Sequence, residues 1–175
     1  MITYSIDPAH SAADFKVRHL MVSNVRGEFS GLTGTVTFDP RNPANSKIDA
    51  RIPAANIQTR DPQRDAHLKS GDFLDVEKFP EITFVSTGVA KNGDVEYKVT
   101  GDLTIHGVTK QVTLDVEGPT PEVKDPWGNV KAGASAKTKV NRKDFGLLWN
   151  VALETGGVLV GEEVSIHLDL ELARQ

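Results

Sequence analysis

Between Arg64 and Pro80 the chain reads RDAHLKSGDFLDVEKFP, which sets His67 among Asp65, Asp72 and Asp75. Carboxylate and imidazole groups at such close range are the material of a divalent-metal site or of general acid–base catalysis. The spacing argues against both. No two histidines stand four apart as in a helical zinc motif, and the D-x-D-x-D-G alternation of a calcium loop is absent. The simpler expectation is that Asp65 and Asp72 cap turns and that His67 hydrogen-bonds to backbone. A metal-dependent enzyme built on Asp65, His67 and Asp72 is the competing reading.

Other reactive arrangements are weaker. No G-x-S-x-G elbow occurs, and the adjacent His10 and Ser11 would point to opposite faces of a strand. The segments GVTKQ and GDLTIHG lack the glycine spacing of a phosphate loop. His19 follows Phe15 and Val17 at two-residue intervals, so it belongs to an apolar face. There it is either a satisfied core or rim residue, or a polar handle for a ligand. His167 alternates with Ile166 and Leu168 and should face water. The strand KAGASAKTKV carries only small residues in one phase, namely Ala132, Ala134, Ala136 and Thr138. They either receive a bulky neighbour such as Trp149 or leave space for a ligand.

These residues need strands to position them, and the chain has a strong period of two. Ala13, Phe15, Val17 and His19 share one face, and Leu32, Gly34, Val36 and Phe38 share another. Ile48, Ala50 and Ile52 alternate with charged residues, and Ile82 and Phe84 oppose Thr83 and Val85. Val95, Tyr97, Val99, Leu103 and Ile105 keep phase, interrupted at Gly101. Val112, Leu114 and Val116 follow, then Val164 through Leu172. Lys91–Asp94 holds an Asn-Gly pair suited to a tight primed turn. Gly107 marks another reversal, and the phase break across FSGL predicts a turn or bulge. Asp61 and Pro62 fit a helix start, Gly71 fits its end, and a further turn would run to Pro80. Seven to nine antiparallel strands in a meander, with a short helical insert, make one all-β domain over residues 1–175. Periodicity leaves a sandwich and a closed barrel equally open.

Composition narrows the classes further. Twenty Lys and Arg against 24 Asp and Glu give a net charge of −4, which lacks the basic excess of a nucleic-acid binder. No apolar run approaches the ~20 residues of a membrane-spanning helix, so stable membrane insertion is not expected. The absence of cysteine removes disulfides and thiol chemistry. The opening MITYSIDPAH lacks the basic and apolar regions of a secretory signal. The expected location is cytoplasmic, or periplasmic if this is a mature exported form.

The segments DPAHSAADFKVRHL, VRGEFSGLTGTVTFDP, IQTRDPQRDAHLKSGDFLDVEKFPEITFVST, GDLTIHGVTKQVTLDVE, NRKDFGL and VGEEVSIHLDLE occur in this order. Together they closely resemble the YceI-like family of bacterial polyisoprenoid-binding, lipocalin-like proteins, from about Tyr4 to Leu172. The resemblance implies an extended eight-stranded antiparallel lipocalin-like barrel with a short helical insert. It further implies a lumen holding an isoprenoid, quinone-like or fatty lipid, no cofactor, no catalysis and a homodimer. The Arg64–Pro80 segment then looks like the helical turn that flanks the barrel. The family motif names no ligand contacts. Phase alone nominates Phe15, Val17, Phe29, Val36, Phe38, Ile52, Phe84, Val99, Leu103 and Trp149 as apolar lining, with His19 as the polar contact. A dimeric interaction or stress module with an empty barrel is a further alternative, acting through alternate-face residues such as Val85 and Val89.

Overall fold

In the computed structural model, which describes residues 1–154 and 156–175, twelve strand segments form one continuous antiparallel sheet. They are β1 (Ile2–Ile6), β2 (Ala12–His19), β3 (Ser23–Phe29), β4 (Thr33–Phe38), β5 (Lys47–Pro53) and β6 (Ile57–Gln58). After α1 (Pro62–Lys69), the one α-helix among the described residues, come β7 (Glu81–Lys91), β8 (Glu96–Ile105), β9 (Val108–Glu117), β10 (Val123–Lys124), β11 (Val130–Asn141) and β12 (Val160–Arg174).

The pairing turns these segments into an eight-stranded closed barrel. β1 and β2 both pair with β12, Ile6 opposite Leu172 and Ala12 opposite Asp169. They are therefore one strand interrupted at residues 7–11. In the same way β3 pairs with β2 while β4 pairs with β1, and β6 pairs with β3 while β5 pairs with β4. Each of the first three barrel strands is thus kinked. β11 closes the ring, pairing with β9 at Ser135–Lys137 and with β12 from Lys131 to Asn141. The expected break across FSGL is the kink between β3 and β4, where Gly31 takes φ +77°. Closure removes the exposed edges that an open sheet of this length would present.

One turn differs from the sequence expectation, while the reversal expected at Gly107 is present. The Asn-Gly pair does not make a primed hairpin, because β7 and β8 are joined by a four-residue loop closed by Asn92 N–H donating to Glu96 O at 2.8 Å, and Asn92 is not among the residues of positive φ. Val95 sits in that loop, 50% exposed, rather than on the inner face of β8. The tight two-residue turn is instead His106–Gly107, with φ of +55° and +70° between the paired Ile105 and Val108. A left-handed conformation at both positions is what the right-handed strand twist requires there.

The helical insert forms as its caps dictate. Asp61 accepts hydrogen bonds from the N–H groups of Gln63 and Arg64, Pro62 occupies the first turn, and Ser70 ends the helix. Beyond it the chain continues through turns to Pro80, as the sequence suggested.

Candidate functional site

Strand direction sorts the connections into two groups. The β2–β3 hairpin, α1, the His106–Gly107 turn and the segment Arg142–Leu159 all lie at one end, which we call the helix end. The 39–46 loop, the β7–β8 loop, β10 and both termini lie at the other. Between the two ends is a cavity of about 640 Å³, within the usual range for a small-molecule pocket.

All eleven residues nominated from strand phase stand on the wall of this one cavity: Phe15, Val17, His19, Phe29, Val36, Phe38, Ile52, Phe84, Val99, Leu103 and Trp149. The alternation of Cβ directions along a strand is why phase finds them. Ala134, Ala136 and Thr138 line the cavity as well, so the small-residue strand borders open volume. Trp149 does not fill that space. Its ring packs against His67 and Phe73, with centroids 4.7 and 5.3 Å away.

One expected outward residue turns inward. Val89, placed on the outer face by strict alternation, is 8% exposed and lines the cavity. The register of β7 against β8 slips between Ser86 and Gly88, and one extra residue inverts the phase of everything after it. Val85, before the bulge, does face outward.

The far end is narrowed by packed side chains. Phe38 and Tyr97 meet edge to face at 5.7 Å, and Ser46, Tyr97 and Gly118 line the cavity there as buried residues. Nearby, Tyr4 donates its hydroxyl to Glu122 at 2.8 Å. Burial, followed by that bond to a carboxylate, pushes its pKa up to about 12. At the helix end the wall includes exposed Gln63 and half-buried Arg64, His67 and Leu68 from α1. The cavity therefore reaches the surface beside α1.

Polar groups concentrate at this mouth. Arg64 donates from Nε and Nη2 to the side chain and carbonyl of Thr59, at 2.8 and 2.6 Å. Thr59 donates its N–H and hydroxyl to Asp65 at 2.8 and 2.5 Å. Asp65 is thus spent on its own turn. His67 Nε2 pairs with Asp72 Oδ2 at 2.8 Å and not with backbone, because the chain reverses at Ser70 and returns Asp72 to the helix. Of the proposed metal triad, only His67 and Asp72 meet.

Sequence reasoning missed Arg142. It is 4% exposed, lies on the cavity wall and donates to four carbonyls: Gly161, Leu147, Trp149 and Val160. Burial pulls its pKa below the ordinary arginine value. It joins the two ends of the Arg142–Leu159 segment, and nothing in the local pattern NRKDFGL distinguishes it from exposed Lys143. A second polar cluster lies outside the barrel. Among the described residues, the group with metal-ligand geometry is Asp7, His10 and Glu171. Lys131 Nζ already stands there, 2.8 Å from Asp7 and 3.0 Å from Glu171.

With this geometry in view, comparison with known proteins is decisive. The YceI-like domain model matches residues 4–172. The chain belongs to the YceI-like family. It is 40% identical to protein YceI of Escherichia coli O157:H7 over 98% of this chain and 87% of that one. Among solved structures, this YceI-like barrel matches Burkholderia cenocepacia BcnA with a TM-score of 0.77, at 25% identity over 95% and 98% of the two chains. It matches the YceI protein of Campylobacter jejuni with a TM-score of 0.73, at 31% identity over 90% of each. A polyisoprenoid-binding domain from Saccharophagus degradans shares the fold, with a TM-score of 0.71 over the whole of both chains at 14% identity.

Proposed function

We propose that this protein binds a long-chain isoprenoid or related lipid in the barrel lumen, for storage or transport, and that it is not an enzyme. The observation that carries this reading is the cavity wall. Eight strands enclose a lumen that side chains can either fill or leave open for one ligand, and here about 640 Å³ remains, lined by apolar residues from nearly every strand. Family membership, and the fold shared with a domain described as polyisoprenoid-binding, support the same ligand class.

The energetics are sufficient. Burying a methylene contributes about 0.8 kcal/mol, so one five-carbon unit offers roughly 3–4 kcal/mol before the cost of ordering the chain. Affinity would come from length rather than from directional bonds. The charged and imidazole side chains His19, Arg64 and His67 sit at the mouth, so a head group of quinone or alcohol type would lie near them, with the tail toward Tyr97. A homodimer is compatible with this reading, which does not require one.

Mass spectrometry of the intact protein under native conditions, with organic extraction of whatever dissociates, tests the proposal. A co-purifying isoprenoid or quinone near one per chain supports it and names the ligand. If the protein emerges empty, and added isoprenoids neither quench Trp149 nor raise the melting temperature, the carrier reading fails.

A further inference from the structure

The helix end carries an apolar surface that the barrel does not use. In the β2–β3 hairpin, Leu20, Met21 and Val22 are 41%, 52% and 74% exposed, and on the neighbouring segment Leu148 and Val151 are 62% and 47% exposed. Hydrogen bonds join the two segments. Leu20 N–H donates to Leu159 O at 2.8 Å, and Leu159 N–H donates to Val151 O at 2.9 Å. Met21 lies over Gly157.

The backbone holds these side chains outward at a cost. Leu20 and Met21 take φ of +53° and +62°, a conformation that large L-residues avoid. Arg18 donates to Met21 O at 3.2 Å and braces the tip. Apart from Arg18 and Glu154, both exposed, charge is sparse here. His19–Val25, Phe145–Leu153 and Gly156–Gly161 contain no Asp, Glu, Lys or Arg, in a chain that is 25% charged. These three uncharged segments converge at the mouth. Within them His19, Trp149 and Leu159 line the cavity itself, so the exposed apolar side chains stand directly beside residues of the cavity wall.

We infer that this tip docks on a lipid bilayer, dipping Leu20, Met21, Val22, Leu148 and Val151 into the interface so that a lipid passes between membrane and barrel without crossing water. The inference rests on the lipid-carrier reading above. A tip with five exposed apolar side chains and only Arg18 and Glu154 as charges, of opposite sign, matches hydrocarbon rather than a charged head-group layer. Binding therefore belongs on neutral phosphatidylcholine and should change little with salt, because buried apolar area drives it. The association is reversible and interfacial. Among the described residues no helix is long and apolar enough to cross a membrane.

The test is flotation with phosphatidylcholine vesicles at low and high salt, paired with Trp149 quenching by farnesol added without membranes. The wild type should float at both salt concentrations. Val22→Asp, at a position 74% exposed, should lose about tenfold or more of its vesicle partitioning while keeping its farnesol response, which also certifies its fold. Met21→Asp is the second variant. Failure of the wild type to float, or equal flotation of both aspartate variants, overturns the inference. A wild-type dimer in solution that Val22→Asp converts to single chains also overturns it, assigning the tip to a second copy. Flotation without any farnesol response supports docking while removing the lumen as its purpose.

Discussion

His67 and Trp149 meet edge to face, their ring centroids 4.7 Å apart and their planes at 88°. This contact joins α1 to the segment that follows the 3-10 helix Arg142–Phe145, and it spans the mouth of the cavity. Asp72 holds the imidazole from the other side at 2.8 Å. The histidine that resembled a catalytic or metal-binding residue thus stands in a contact that would latch the mouth.

Losing the latch should loosen the mouth more than the fold. An aromatic contact of this kind contributes about 0.5–1.5 kcal/mol. His67→Ala is accordingly expected to speed ligand release about two- to tenfold, read by stopped-flow fluorescence of Trp149, with only a small fall in melting temperature. An unchanged release rate would show that ligand leaves by another route.

The lumen itself is tested by filling it. Ala136 is 4% exposed, lines the cavity and lies opposite Val116 and Leu168. Ala136→Phe places a ring where a chain would run. Isoprenoid affinity should fall at least tenfold, with the circular dichroism spectrum retained. Intact binding in a folded variant would move the site out of the barrel.

Arg142 predicts a stability effect. Removing the guanidinium strands the buried Leu147 carbonyl and three part-buried ones, a fully buried one costing about 1–3 kcal/mol and the others less. Arg142→Met should therefore destabilise by about 3 kcal/mol or more, lowering the melting temperature by roughly 6–12 °C for a chain of this size. Arg142→Lys should recover little, because one ammonium cannot reach four diverging acceptors. Full rescue by lysine would mean that charge rather than geometry matters there.

The Asp7–Lys131–Glu171 cluster predicts a pH dependence. Lys131, then His10, hold the Asp7 carboxyl well below the usual carboxylate range. A depressed native pKa stabilises the fold above the unfolded value near 4 and loses that contribution as pH falls through the native one. Lys131 shifts upward, chiefly through its bonds to Asp7 and Glu171. Its contribution is complete below the unfolded lysine pKa and fades as pH rises beyond it. Thermal melts of Lys131→Met should thus lie below wild type at pH 7 by about 2–4 °C, and the gap should begin to narrow near pH 4 and shrink steadily below it. A constant gap down to pH 2 would exclude the ion pair as its source.

How far the chain speaks for itself can be judged residue by residue. Phase placed Phe15, Phe84 and Val99 on one wall because the side-chain period of a strand is locally enforced, and Asp61–Pro62 announced α1 through capping chemistry that spans only a few residues. Long segments matching the YceI-like family carried the barrel. What the alternation could not reveal was any feature that depends on distant pairing. The inversion at Val89 comes from a one-residue bulge against β8. The union of β1 with β2 appears only because β12 pairs with both. Arg142 is buried because Gly161 and Leu147 arrive from either side of it, and His67 meets a tryptophan 82 positions away. Local sterics and hydrophobic period set the strands and their faces. Barrel closure, which brings remote backbone groups into hydrogen-bonding range, decided where the mouth lies and which polar residues guard it.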